Sequence, residues 1–369
     1  MGWQLTNVGA VADEITDDYG VSLATVGLFT TALFVLHAGL QVPAGSAIDA
    51  LGARRVALVA VAIILAANGL ALLAPEPGLA IGARAFAGVG TALGFLAGID
   101  YVRSQGGSPF AQGLYGGVGL SGGGIALAVV PHVENWIGWR APFASTLVVA
   151  AVAGVALLAG PPDSAGARPA RHETTSVSSV VRDRRLYGIC LVYAASFGLA
   201  VVLGAWVVSL LTRAGGYSDA AAGAIGSLIL LGGIVSRPFG GWLARRHPTL
   251  VTRVVVASYV ASAVGTAMLA VAGSLALSLL GASVLGLASG IPFAPAFAAA
   301  ARIRPDAPAV ASGMVNAAAN GLIIVATPLL GLAFSLPGNG RIGFAVVTAF
   351  WLVAALATPT IRELGGRVA

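Results

Sequence analysis

Six polar side chains lie inside runs that are otherwise apolar: Arg84, Arg237, His37, Gln41, Asn316 and Asn320. A polar or ionisable group so placed is costly unless it faces a cavity or a partner, so each is a candidate for contact with a solute. A guanidinium is a planar fork that can grip a carboxylate or an inorganic oxyanion through two N–H groups at once. His37 can carry a proton near neutral pH. Thr30, Phe34, His37 and Gln41 are spaced four, three and four residues apart and share one helix face; Asn316 and Asn320 share another. Each candidate has a plainer alternative. Arg237 lies close enough to the end of its run to snorkel, Arg84 can fix helix packing, His37 can bond a carbonyl, and the asparagines can bridge two helices. No residue spacing suits a metal, no setting suits a nucleophile, and no paired acids lie within the apolar runs, so neither an enzyme nor a cofactor is expected.

The elements that hold these residues must be membrane helices. With 57% hydrophobic and 9% charged residues, the chain has too little polar surface to coat a soluble globule. Its mean hydropathy is +0.91. Its 51 glycines suit helices that approach closely in lipid. The net charge of +6 would suggest nucleic acid in a soluble protein, but here the arginines cluster between apolar runs and read as loops on one side of a bilayer, so no nucleic-acid partner is expected. Cys190 is alone and sits in an apolar run, as a small buried hydrophobe does.

A window of about 20 apolar residues places spans near 22–45, 56–74, 79–101, 110–132, 141–160, 186–211, 220–243, 250–272, 275–301, 309–335 and 342–360. Met1 to Ala12 reads as the last turns of a first helix whose beginning is missing, followed by an acidic loop from Asp13 to Asp18, which predicts a twelve-helix protein. Arg54 and Arg55, Arg103, the group Arg168 to Arg185, Arg245 to Arg253, Arg302 and Arg304, and Arg362 and Arg367 fall in alternate connections; the others hold only Arg140, Arg213 and Arg341. The positive-inside bias makes the arginine-rich side cytoplasmic, with the C-terminus on that side. The Pro-, Ser- and Arg-rich stretch 161–185 reads as a flexible cytoplasmic linker between bundles 1–160 and 186–369. An internal repeat supports two halves: Ser22, Gly27 and Gly45 recur at the same spacing as Ser218, Gly223 and Gly241.

Between the first two full spans, Gly45, Asp49, Gly52, Arg54 and Arg55 form a pattern that resembles the signature hairpin of major facilitator superfamily transporters. Arg84-Ala-Phe-Ala-Gly88-Val-Gly90 resembles that family's fourth-helix motif, and Gly138 to Phe143 resembles the junction into its sixth helix. The resemblance runs over nearly the whole chain. It implies an all-α polytopic fold of two pseudo-symmetric six-helix bundles, and a secondary transporter that moves a small solute by alternating access. It also implies that Gly45, Asp49, Gly52, Arg54, Arg55 and Asp100 form a gating cluster rather than solute ligands.

A narrower resemblance is to nitrate/nitrite porters, which use one arginine in the second helix and one in the eighth. Arg237, the glycines between Gly113 and Gly124, and Asn316 match that pattern, while Gln41 stands in the first arginine's place and Leu120 in an asparagine's. It implies a small or organic anion as solute, held by Arg237 with His37, Gln41, Arg84, Asn316 and Asn320 as further donors. The expectation is a monomeric multi-pass protein of the cell membrane whose partners are its solute, protons and the lipid bilayer. A multidrug or metabolite exporter and a transport-inactive sensor are the alternatives.

Overall fold

Glycine, proline and serine punctuate the helices, and where they stand determines how each crossing is broken and re-aimed. The computed structural model describes residues 1–105, 109–162 and 177–365. After two short 3₁₀ turns, Gly2–Leu5 and Gly9–Val11, the first half consists of α1 (Ala12–Tyr19), α2 (Leu23–Gly39), α3 (Gln41–Leu51), α4 (Ala53–Ala71), α5 (Pro77–Ser104), α6 (Pro109–Ile137) and α7 (Ala141–Ala159). A short α8 (Val177–Val181) leads into the second half: α9 (Arg185–Tyr193), α10 (Leu199–Gly215), α11 (Asp219–Leu231), α12 (Gly233–Arg246), α13 (Val251–Val271), α14 (Leu275–Ser289), α15 (Phe293–Ile303), α16 (Pro308–Leu332) and α17 (Arg341–Ala357). There is no strand among the described residues.

Nine stretches among the described residues are long and apolar enough to cross a membrane. One of them, Leu114–Ala159, is 46 residues long and folds back at Gly138, so it holds two crossings, α6 and α7. The α2–α3 pair supplies a further crossing broken at Leu40. These account for the eleven expected spans. Of the apolar 18-residue window in the crossing Arg185–Gly215, 78% is buried within the protein, against 28% of the window in Leu114–Ala159, so the former crossing lies more centrally.

One expectation is corrected and two are drawn in more detail. Asp13 to Asp18 is not a loop but the body of α1: Asp13 and Glu14 in its first turn complement the helix dipole, and Gly20, at φ +62°, ends it in the left-handed conformation. The hairpin around Gly52 is tighter than expected, because α3 runs on to Leu51 and α4 starts at Ala53; Gly52 alone makes the turn, at φ +88° and ψ 151°, which a side chain would strain. The expected linker 161–185 is helical near its end. Val180 of α8 is fully buried, and Arg304 at the end of α15 donates to the Ser179 carbonyl (2.9 Å) and hydroxyl (3.1 Å), docking that turn on the second half. Residues 163–176 of the expected linker lie outside the described residues.

The repeat is visible in the packing. Ser22 and Ser218 cap α2 and α11 by accepting from the Thr25 and Ala221 amides. Gly27 on α2 lets that helix lie against Pro328 of α16, and Gly223 on α11 lets its helix lie against Leu127 and Pro131 of α6. Each half thus offers a small residue to a proline-bearing helix of the other, and α2 with α16 and α11 with α6 form the two long seams between halves.

Candidate functional site

Between the two seams lies a small chamber. Its walls are Met1, Leu5, Phe34, His37, Phe95, Gly116, Leu120, Tyr193, Phe197, Arg237, Phe293 and Asn316. Both halves contribute, and no carboxylate is among these residues.

Arg237 enters from α12, which restarts after a break at Gly232 and contains Pro238. Gly290 leaves room for its stem: a Cβ there would collide with Ser236 and press on Arg237 Cγ. Arg237 is 6% exposed, and its guanidinium donates from Nη1 to the Gly116 carbonyl across the seam (3.1 Å). Its carbon lies 4.3 Å from the Phe293 ring centre and 5.6 Å from that of Phe197. Tyr193 stacks on Phe197 at 5.5 Å and meets Phe297 edge-on at 4.9 Å, so the charge is held in an aromatic box. The Nε–H has no partner. A buried charged donor left unpaired is costly, and an anion in the chamber would relieve it.

Opposite, from the first half, His37 is set between Phe34 and Phe95, with ring centres at 5.9 and 6.2 Å. Its Nδ1 lies 3.1 Å from Thr91 Oγ1 and its Nε2 lies 3.0 Å from Gln41 Nε2. Gln41 turns back along its own helix, also donating to the His37 carbonyl at 3.2 Å, and is not among the lining residues. Asn316 lines the chamber from α16; Asn320, one turn on, is 1% exposed and neither of its amide atoms has a partner.

Arg84, expected among the solute ligands, is not among the residues that line this chamber. It is 1% exposed and ties α5 to the first crossing and to α2, donating to the Gln4 carbonyl (2.7 Å), Gln4 Oε1 (3.4 Å), Asn7 Oδ1 (3.4 Å) and the Phe29 carbonyl (3.3 Å). Its donors are taken by the protein itself. Of the expected gating set, Gly45 and Asp49 fall in α3 with their surroundings outside the described residues; Asp100 is half-buried near the end of α5, and Arg55 is exposed. Arg54 donates to the Leu157 and Leu158 carbonyls at 2.9 and 2.8 Å, at the C-terminal end of α7, where a cation complements the helix dipole. The sequence reading missed the aromatic walls. Tyr193 and Phe197, and Phe293 and Phe297, each four apart, were the available signal in a chain only 7% aromatic.

Two repeated halves, seams sealed by small residues and a central, mostly apolar chamber that holds one arginine define a polytopic secondary transporter for a small solute. The Major Facilitator Superfamily model matches residues 1–328, and the chain belongs to that family. Among curated relatives, it is 27% identical to the probable nitrate/nitrite transporter NarK2 of Mycobacterium tuberculosis, covering 95% of this chain and 91% of that one. It is 23% identical to the probable nitrate transporter NarT of Staphylococcus haemolyticus (96% and 91% covered) and 24% identical to the nitrite extrusion protein of Bacillus subtilis (94% and 87%). Among solved structures it superposes on the nucleoside transporter NupG with a TM-score of 0.72 at 15% identity, covering 98% of this chain and 96% of that one. It superposes equally, at 0.72 and 14% identity, on an inward-facing, occupied bacterial homolog of the lysosomal transporter Spinster (98% and 94%); at these identities the likeness is one of fold.

Proposed function

We propose that this protein carries a small monovalent anion, an inorganic oxyanion of the nitrate class or a compact carboxylate, across the cell membrane. The observation that carries this reading is the charge of the chamber: among the described lining residues Arg237 is the one charged side chain, its Nε–H is unpartnered, and there is no acid. The relatives named for nitrate and nitrite support the same class. A lone arginine flanked by aromatic rings favours a planar anion that accepts from the guanidinium edge while its faces meet apolar carbon.

In this reading the halves, 1–160 and 186–369, rock about the chamber while 161–185 keeps them joined on the cytoplasmic side. The arginine-rich connections and the C-terminus face the cytoplasm. Gly45, Asp49, Gly52, Arg54, Arg55 and Asp100 hold the cytoplasmic ends in register as those ends open and close. We read the protein as a monomer, since both halves of one chain wall the chamber.

Counterflow of nitrate and formate in proteoliposomes tests this. Arg237→Gln is expected to reduce uptake roughly ten- to hundredfold, the worth of a charge-assisted hydrogen bond. Arg237→Lys, which keeps the charge and loses the fork, should fall between that variant and wild type. Equal rates in all three proteins, or a lipophilic cation as the preferred solute, would reverse the assignment.

A further inference from the structure

The repeat that sets Gly45 against Gly241 sets Asp49, the acid of the signature hairpin, against Arg245. At the matching place the second half therefore carries an elbow with that charge reversed: α12 ends at Arg246, the 3₁₀ turn Pro248–Leu250 redirects the chain, and α13 starts at Val251. From Arg245 to Arg253 there are three arginines and no acid. All three are exposed, and none has a hydrogen-bond or ion-pair partner among the described residues. In the other arginine-rich connections Arg54, Arg185, Arg302 and Arg304 each donate to a carbonyl or a carboxylate. The C-terminal turn Arg362–Gly365 packs on the elbow and brings one more exposed arginine, Arg362, with one acid, Glu363. The positive charge of the elbow is left largely unanswered by the protein itself.

An apolar surface runs up to it on the same helix. Val235, Phe239, Trp242 and Arg246 are four, three and four residues apart, so they share one face of α12, and all four are exposed, the three apolar ones at 62%, 42% and 45%. Phe239 and Trp242 stack with ring centres 5.7 Å apart, and His247 meets Trp242 edge-on at 5.4 Å. On a membrane crossing such a face lies against acyl chains, and an indole one turn before a pair of arginines marks the depth at which chains give way to headgroups. A ligand that satisfies the whole surface is apolar along Val235 to Trp242 and anionic at Arg245 and Arg246. A soluble anion meets only the second condition, and a zwitterionic lipid brings a cation of its own to the arginines.

We infer that the elbow between α12 and α13 is a binding site for one anionic phospholipid from the leaflet on the arginine-rich side. Arg245, Arg246 and Arg253 hold its phosphodiester by charge-assisted hydrogen bonds, and an acyl chain runs along Val235, Phe239 and Trp242. The site lies on the lipid side of the helix whose buried side carries Arg237. It requires only that the chain spans a bilayer, and it stands or falls apart from the anion reading of the chamber.

Native mass spectrometry of the purified full-length protein, titrated with phosphatidylglycerol or with phosphatidylcholine of matched chains, tests this. Wild type should hold one phosphatidylglycerol roughly tenfold or more tightly than phosphatidylcholine. Arg245→Gln/Arg246→Gln should weaken that lipid roughly twentyfold, at about fivefold for each basic residue lost from a membrane surface. Arg182→Gln/Arg184→Gln removes the same charge from exposed arginines away from the elbow and should leave its affinity within about twofold of wild type. Trp242→Leu should weaken both lipids, and glycerol phosphate, a headgroup without chains, should not displace either. Each replaced side chain is exposed, and unchanged thermal unfolding of the variants checks that they are folded. Equal affinity of wild type for the two lipids overturns the inference, as does an equal loss in the two double variants, which would reveal only a general field of positive loops. Displacement by glycerol phosphate, or full affinity in Trp242→Leu, overturns it in favour of a soluble-anion site.

Discussion

Two buried arginines in this chain look alike by type and burial, and their hydrogen bonds separate them. Arg84 gives its donors to four oxygens of the first crossing and α2, while Arg237 keeps Nε–H unpartnered at the chamber. Losing the first strands protein acceptors; losing the second, on the function proposed above, strands a solute. Arg84→Met should therefore lower thermal stability, by at least roughly 2 kcal/mol on the ordinary cost of stranding buried oxygens, and leave the nitrate KM within about threefold of wild type. Thermal unfolding followed by tryptophan fluorescence, beside the counterflow assay, decides it. A collapsed affinity at unchanged stability would return Arg84 to the solute site.

At the scale of helices, the seams depend on small residues facing prolines. Gly223 lies against the Leu127 carbonyl and Pro131, where any Cβ would collide, while Gly82 has nothing within 4 Å. Gly223→Val should push α11 off α6, and overpacking of this kind costs about 1–3 kcal/mol, enough to shift the closed population roughly five- to hundredfold. On the rocking of the halves proposed above, a reporter on the other seam should respond. A cysteine at Val26, 2% exposed in the closed arrangement, in a Cys190→Ser background, should react markedly faster with a polar thiol reagent in Gly223→Val and at the wild-type rate in Gly82→Ala. Unchanged labelling in Gly223→Val would show that the seams open independently.

Across the whole molecule, the end bearing α1 is latched. Asp13 pairs with Arg213 of the other half at 2.6 Å, Thr31 donates to the Ile324 carbonyl across the α2–α16 seam, and Arg341 gathers the Ala214 and Ala270 carbonyls within its own half. Beside the latch, burial holds the Glu14 carboxyl up at about 7 from an ordinary 4.5, with the negative charges of Asp219, Glu134 and Asp13 adding to the effect. Separation of the halves hydrates Glu14 and lets it fall towards its ordinary value, so the latched arrangement binds this proton more tightly. Latching is then favoured in acid, weakens as pH rises from about 4.5 to about 7, and changes no further above that. Spin labels at the exposed Asp17 and Pro337 should report a greater share of long distances at pH 8 than at pH 5. Glu14→Gln should abolish that difference, and Arg213→Gln should lengthen the distances at both values; an undiminished pH response in Glu14→Gln would exclude the carboxyl as its source.

Composition and local chemistry were enough to read the class of fold. Apolar runs of bilayer length demand helices, arginine placement separates the two ends, and the spacing of Ser22, Gly27, Ser218 and Gly223 marks two halves, because capping and close approach are local demands that a sequence states directly. Where α1 and α3 stop was less legible, since acidic residues serve a helix start as readily as a loop and one glycine can replace a whole connection. The roles of the buried polar residues were not legible at all. Arg84 and Arg237 are each one charge in an apolar run, and only the neighbours brought from distant parts of the chain, Gln4 and Asn7 for one, Phe197, Phe293 and Gly116 for the other, decide which donors are taken and which are left for a solute. The same holds for His37 and Gln41. Helical spacing places them on one face, but that His37 and not Gln41 lines the chamber is decided by tertiary contacts, among them Thr91, 54 residues away, whose hydroxyl lies 3.1 Å from the imidazole.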